Sequence, residues 1–154
     1  MKVSIITSCF NRESTIRETI ESVLAQDYKN IEYIIVDGAS TDKTIQIINE
    51  YRDKVSIIIS EPDKGMYEAI NKGIRTASGD VVGLLHSDDK LFSPIIISSI
   101  VKRFEQTGSD LIYGNGMFVN PIKKQQVIRD WKSGIYTKNK IKRGWLPLHP
   151  TVYI

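Results

Sequence analysis

The sequence predicts an α/β fold: a mostly parallel sheet flanked by helices, with a short antiparallel hairpin after residue 116. Three observations carry this reading. Short β-branched runs alternate with segments of helical periodicity over the first 113 residues, the pattern that successive βαβ units leave in a chain. The composition, 41% hydrophobic and 25% charged over 154 residues, is that of one globular domain and not of a disordered, collagen-like or disulfide-scaffold chain. A domain of roughly 150 residues also buries about 68–70% of the surface its unfolded chain exposes, so a core can form without metal or disulfide staples.

The elements follow in order. Residues 3–8 form the first strand. Thr15-Ile16-Arg17-Glu18 has the capping-box spacing, and Ile16, Ile20, Val23 and Leu24 then share one helical face up to Asp27-Tyr28. Residues 31–36 form a second buried strand. A helix from Asp42 carries Ile45, Ile48 and Tyr51 on its face, and residues 55–60 form a third strand. The Pro and Gly of residues 61–65 make a loop. Met66, Ala69, Ile70, Gly73, Ile74 and Ala77 repeat at helical spacing before Ser78-Gly79 and a strand at residues 80–85. Ser93-Pro94 supplies an N-cap and a first-turn proline, and Gly108 ends the helix that follows. Leu111-Ile112-Tyr113 is a short strand. Gly114-Asn115-Gly116 reads as a turn, and residues 117–119 and 125–128 read as two arms of a hairpin around Asn120-Pro121.

Several function classes fall away. The chain has no G-x-x-x-x-G-K-[ST] loop and no G-x-G-x-x-G after its first strand. His86, His149 and the single Cys9 have no zinc spacing. Cys9 cannot pair within the chain, in keeping with a reducing, cytoplasmic location, and it reads as a buried wall residue. The apolar runs are far shorter than the roughly 18 residues of a spanning helix, and strand-like residues directly after Met1 predict no signal peptide.

In an open α/β sheet, ligands bind beyond the carboxyl ends of the strands. The loops there are residues 7–13, 37–42, 61–65 and 86–90, and they bring Asp37, Asp63, Asp88 and Asp89 to one edge. Adjacent carboxylates after an apolar strand repel unless a cation or solvent screens them. Mg²⁺ and Mn²⁺ take oxygen ligands, Mg²⁺ typically one or two carboxylates plus substrate phosphates. The competing reading makes Asp88 or Asp89 a helix-initiating cap. Asp37 can accept from a base N–H or from ribose hydroxyls, whereas Asp42 reads as the cap of the next helix.

Residues 4–12 (SIITSCFNR), residues 34–42 (IIVDGASTD), Lys64-Gly65 through Asn71-Lys72-Gly73-Ile74, and Ala77-Ser78-Gly79-Asp80 leading to Ser87-Asp88-Asp89 resemble the successive blocks of the family 2 glycosyltransferases with the Rossmann-like GT-A fold. The resemblance covers residues 1–119. It implies a donor-binding core there, with residues 120–154 beginning the acceptor side. It further implies inverting transfer from a nucleotide-sugar, usually a UDP-sugar, with Mg²⁺ or Mn²⁺, to a polysaccharide or lipid-linked acceptor. Carried over residue by residue, Thr7, Asn11 and Arg12 lie along the nucleotide, Asp37 binds the uracil and Lys64 sits near the phosphates or base. Asp88 meets the ribose or sugar, and Asp89 holds the metal. Tyr67 and Asn71 are expected to pack and cap. Phe10 stands where the family often has Tyr. The family's general base is a carboxylate beyond a segment like His149-Pro150-Thr151-Val152-Tyr153; no acid follows Asp130 here, so that base is expected beyond Ile154.

The net charge of +3 is uneven: residues 1–121 carry 13 basic against 17 acidic side chains, and residues 122–154 carry 8 against 1. For a lipid-linked acceptor, Lys138, Lys140, Lys142 and Arg143 beside Trp145 would meet the inner face of an anionic membrane; no nucleic acid partner is expected. The alternative to an enzyme is a nucleotide-diphosphate-binding module without transfer. A receiver-like domain phosphorylated on Asp37 is disfavoured by the hairpin and by Asp88-Asp89.

Overall fold

Parallel strands sandwiched between helices must be apolar on both faces, and the two central strands here are. A computed structural model of the chain describes residues 1–123 and 126–154. Strand β1 (Val3–Cys9) is buried throughout, and β2 (Ile31–Asp37) is buried after its first residue. They pair parallel from Val3 opposite Ile31 to Cys9 opposite Asp37. β3 (Ile57–Ser60) extends the sheet parallel to β2, and β4 (Val81–Leu84) parallel to β1. The sheet order is β3-β2-β1-β4-β8-β5, with β5 at Ile112–Tyr113 and β8 at Val152–Tyr153. β8 runs antiparallel between β4 and β5. β6 (Gly116–Val119) and β7 (Val127–Trp131) form a separate antiparallel pair.

Alternation along β1 and β2 divides the core. Ile5, Tyr33 and Ile35 pack with Ile16 and Ile20 of α1 (Ile16–Leu24), Ile48 of α2 (Thr44–Asn49), and Ile97 and Val101 of α4 (Ile96–Thr107). Ile6, Ile34 and Val36 face Ala69 of α3 (Met66–Thr76). A last short helix, α5, spans Lys138–Lys142. Among the described residues, no helix is long and apolar enough to cross a membrane.

The amino end of the sheet is tied by one buried carboxylate. Glu32 accepts from Lys2 Nζ at 2.5 Å, Ser4 Oγ at 2.6 Å, Ser78 Oγ at 2.6 Å and Ser78 N at 2.8 Å. Burial alone would raise this carboxyl, but the Lys2 ammonium and the serine donors outweigh burial and bring its pKa down to about 2.

Several boundaries differ from the sequence reading. The capping box is not made: Thr15 has ψ −31°, outside the extended range of an N-cap, and its buried Oγ1 has no partner among the described residues. Its place is taken by the Arg12 carbonyl, which accepts from both Thr15 N and Ile16 N. α2 starts at Thr44 and ends at Asn49, short of Tyr51, whose ring instead takes a hydrogen bond and a cation–π contact from Arg17 of α1. α4 starts at Ile96, after a turn at Pro94-Ile95. β3 starts at Ile57. Tyr67 does not pack; it is 77% exposed because the buried stripe of α3 is Ala69, Ile70 and Gly73. The hairpin is present with its first arm at Gly116–Val119, and Gln125, assigned to the second arm, lies outside the described residues.

Glu32→Gln is expected to cost about 2 kcal/mol, the scale of hydrogen bonds to a charged group. The native contribution is full above the unfolded carboxyl's pKa near 4.5 and is lost as pH falls toward about 2. Melting curves at neutral pH, pH ~4 and pH ~2 should therefore converge for variant and wild type; a constant gap between them contradicts the assignment.

Candidate functional site

The loops after β1 and β2 are laced into one surface at the carboxyl edge. Gly38 N donates to Cys9 O at 2.9 Å, Asn11 N to Ser40 Oγ at 2.8 Å, and Arg12 N to Thr44 Oγ1 at 2.7 Å. Asn11 has φ 52°, a left-handed conformation that asparagine tolerates better than most residues, and its Oδ1 accepts from Thr41 N at 2.9 Å. Asp42 accepts from Thr44 N at 2.9 Å and Glu13 N at 3.1 Å, a turn-forming role two residues before α2. The Arg12 side chain remains exposed.

Asp37 sits at the end of β2 with no exposed surface. Its carboxylate accepts from Ser40 Oγ, from Ser40 N at 3.1 Å and from Ser60 Oγ at 2.7 Å. The Cys9 thiol donates to it at 3.7 Å. Burial first, and then the Asp37 charge, push that thiol far above its ordinary pKa, so Cys9 is an inert wall residue. The third loop presses against the second: a Cβ on Gly38 would lie 2.6 Å from Asp63 Oδ2, so a larger residue there would have to displace the Asp63 carboxylate. Asp63 also accepts from Gly65 N at 2.8 Å, and Lys64, beside it, is exposed.

Thr7 departs from the expectation of a surface along a nucleotide. It is fully buried, and its hydroxyl shares a hydrogen bond with Tyr33 OH at 3.1 Å. Two residues before the strand ends, it faces the core side of the sheet.

The fourth loop is anchored to α1. Thr19 Oγ1 donates to Asp89 O at 2.7 Å, Leu91 N to Ser22 Oγ at 3.1 Å, and Asp89 N closes a turn on His86 O at 2.9 Å. Asp88 is exposed and Asp89 half-buried. Burial first, and then Asp88, raise the Asp89 carboxyl, with the two histidines opposing. Among the described residues no three His, Cys, Asp or Glu side chains converge into a closed metal cage. An open pair of adjacent carboxylates fits a cation that completes its shell with substrate oxygens.

Sequence reasoning missed His149. Its Nε2 lies 2.8 Å from His86 Nε2, beside the Asp88-Asp89 loop, although 63 positions separate the two residues. It also missed a cleft of about 400 Å³ lined by Trp131, Trp145 and His149 among others. No spacing rule links these residues; the hairpin and β8 bring them there.

A GT-A fold with this acidic edge defines a class of sugar-transferring enzymes, and the comparisons agree. The chain matches the family model "Glycosyl transferase family 2" over residues 4–152 and belongs to that family of glycosyltransferases. An uncharacterized glycosyltransferase of Rickettsia typhi is 42% identical over 146 residues, 95% of this chain and 46% of its own. The Escherichia coli UDP-Glc:alpha-D-GlcNAc-diphosphoundecaprenol beta-1,3-glucosyltransferase WfaP is 44% identical over 88 residues, 56% of this chain and 35% of its own. Staphylococcus aureus TarS 1–349, crystallised with UDP-GlcNAc, aligns with a TM-score of 0.72 at 28% identity over 78% of this chain and 36% of TarS. The chain spans about half the length, or less, of the curated relatives it matches.

Asn11→Ala is expected to destabilise by about 1–2 kcal/mol, combining a left-handed backbone with the lost bond to Thr41 N. Asn11→Gly should recover the backbone part. Denaturant midpoints check this, and equal midpoints for both variants would remove the strain from the account.

Proposed function

We propose that this chain carries the donor site of an inverting, metal-assisted transfer from a UDP-sugar to a saccharide or lipid-linked acceptor. The observation that carries it is the convergence of an open acidic loop, Asp88-Asp89, with the cross-laced loops around Asn11, Asp37 and Asp63 on one sheet edge. TarS was crystallised with UDP-GlcNAc, and the name of WfaP pairs UDP-Glc with alpha-D-GlcNAc-diphosphoundecaprenol; both support this reading. On this reading residues 1–119 are the donor-binding unit and residues 120–154 begin the acceptor side, at a cytoplasmic location.

Asp89 would hold Mg²⁺ or Mn²⁺, with Asp88 toward the ribose or sugar. When bound, such a cation offsets the charge growing on the leaving diphosphate. Arg12 and Lys64, both exposed, add positive charge beside the diphosphate, and Asn11 orders the loop that borders it. Asp37 already accepts from Ser40 and Ser60, so accepting a uracil N–H means exchanging one serine bond, and exchanging the Ser40 hydroxyl would also disturb the bond that it accepts from Asn11 N. The acceptor oxygen attacks the anomeric carbon from the face opposite the diphosphate and loses its proton to a base. The second reading is a module that binds the nucleotide diphosphate without transfer.

Calorimetric titration of UDP with and without Mn²⁺, followed by a UDP-sugar hydrolysis assay, tests these together. Mn²⁺-dependent UDP binding is expected, weakened at least tenfold by Asp89→Ala. Intact metal-dependent binding in that variant overturns the metal assignment, and turnover overturns the binding-only reading.

The basic stretch extends the proposal to a membrane surface. Lys138, Lys140, Lys142 and Arg143 are exposed in and after α5, near exposed Ile135, Ile141 and Leu146. Each cation near an anionic surface contributes roughly 1 kcal/mol. Co-sedimentation with phosphatidylglycerol vesicles, absent with pure phosphatidylcholine and reversed by salt, is the expected result; equal sedimentation with both lipids sinks this part.

A further inference from the structure

The chain has only two tryptophans, and both line one cleft. Trp131 ends β7, and Trp145 follows the left-handed Gly144 (φ 84°). With Leu146, Pro147, Leu148 and His149 they bound an open cavity of about 400 Å³, inside the range of small-ligand sites. Neither indole is loosely held. Trp145 Nε1 donates to Ser133 O at 2.9 Å, and its ring meets Tyr113 nearly edge-on with centroids 5.7 Å apart. The Arg129 guanidinium sits over Trp131, 4.4 Å from the ring centroid, and Phe118 flanks the same ring. Both rings are half-buried and both are oriented by side chains outside the cleft.

That arrangement suits one ligand chemistry better than others. A pyranose presents apolar C–H bonds on a ring face and hydroxyls around its rim; the face stacks on a fixed indole while the rim reaches polar groups at the edge. The cleft offers aromatic walls with a single titratable group, His149. Among the described residues, no carboxylate or lysine lines it that would select a charged small molecule. His149 is also the residue bonded to His86 at 2.8 Å, and His86 opens the loop that carries Asp88 and Asp89. The cleft and the acidic edge therefore share a wall.

We infer that this cleft is a saccharide subsite that stacks a neutral or N-acetylated pyranose on Trp131 and Trp145. Its assignment to the acceptor rests on the transfer reading above; its capacity to bind a sugar does not.

Because every tryptophan of the chain is in the cleft, intrinsic fluorescence reports on it directly. The full chain is titrated with methyl glucoside, galactose and N-acetylglucosamine, and with mannitol as an acyclic polyol of similar hydroxyl content. A saturable change with at least one pyranose, on the order of millimolar in affinity, and none with mannitol is expected. Leu146 is 68% exposed at the cleft, so Leu146→Glu obstructs it without a folding burden; it should weaken the response at least tenfold, as should Trp131→Ala read through Trp145. UDP binding by calorimetry should be unchanged in both variants. No saturable response to any pyranose, an equal response to mannitol, or wild-type affinity in Leu146→Glu overturns the subsite. A sugar response without UDP binding supports the subsite while defeating the transfer reading, and UDP binding without a sugar response defeats the subsite alone.

Discussion

Pairing of Cys9 with Asp37 at the parallel ends of β1 and β2 is the constraint on which the loops at the carboxyl edge of the sheet depend. Both strands are buried to their last residue, so the chain places a carboxylate where it has no exposed surface. A buried carboxyl group needs hydrogen-bond partners to replace water. The loops supply the donors: Ser40 from the turn after β2, Ser60 from the end of β3 and the Cys9 thiol from β1. Satisfying one buried acid thus dictates the course of the second loop. The bonds from the first loop to Ser40, Thr41 and Thr44 then fix Asn11 and Arg12 in turn.

The opposite end of the sheet is held by a similar device with a different purpose. Glu32 collects Lys2, Ser4 and Ser78, joining β1, β2 and the approach to β4 where no ligand is expected. Its saturation by a cation and three donors keeps it ionised. Asp89 has no such partner, and burial beside Asp88 raises its carboxyl instead. Two half-closed carboxylate environments in one sheet therefore differ in the sign of their shift, one set by a cation and hydrogen-bond donors and the other by burial beside a like charge.

The segment beyond β7 depends on β8 for its place on the sheet. Tyr153 is buried against β4, where a Cβ on Gly83 would come within 2.3 Å of its ring. That contact seats the preceding His149–Thr151 turn over the end of β4 and brings His149 to His86. The β6–β7 pair, by contrast, is largely exposed on both arms, and such a two-stranded ribbon gains little stability alone.

Element type and order through β5 were legible because burial in a parallel sheet demands β-branched runs and helices covering it demand 3.6-residue periodicity; Ile34-Ile35-Val36 and Ile16-Ile20-Val23 are examples. The acids at the carboxyl edge were legible for the same reason, since strand ends can be counted. Helix starts were less so: Thr15 has the right neighbours for a capping box, yet the turn from Arg12 decides its ψ. The burial of Thr7, the antiparallel insertion of β8 between β4 and β5, and the meeting of His86 with His149 were decided by tertiary structure alone. Local periodicity records which face of an element is apolar, but strand order and long-range side-chain contact depend on how distant segments fill the remaining edge of a sheet, and no local pattern encodes that.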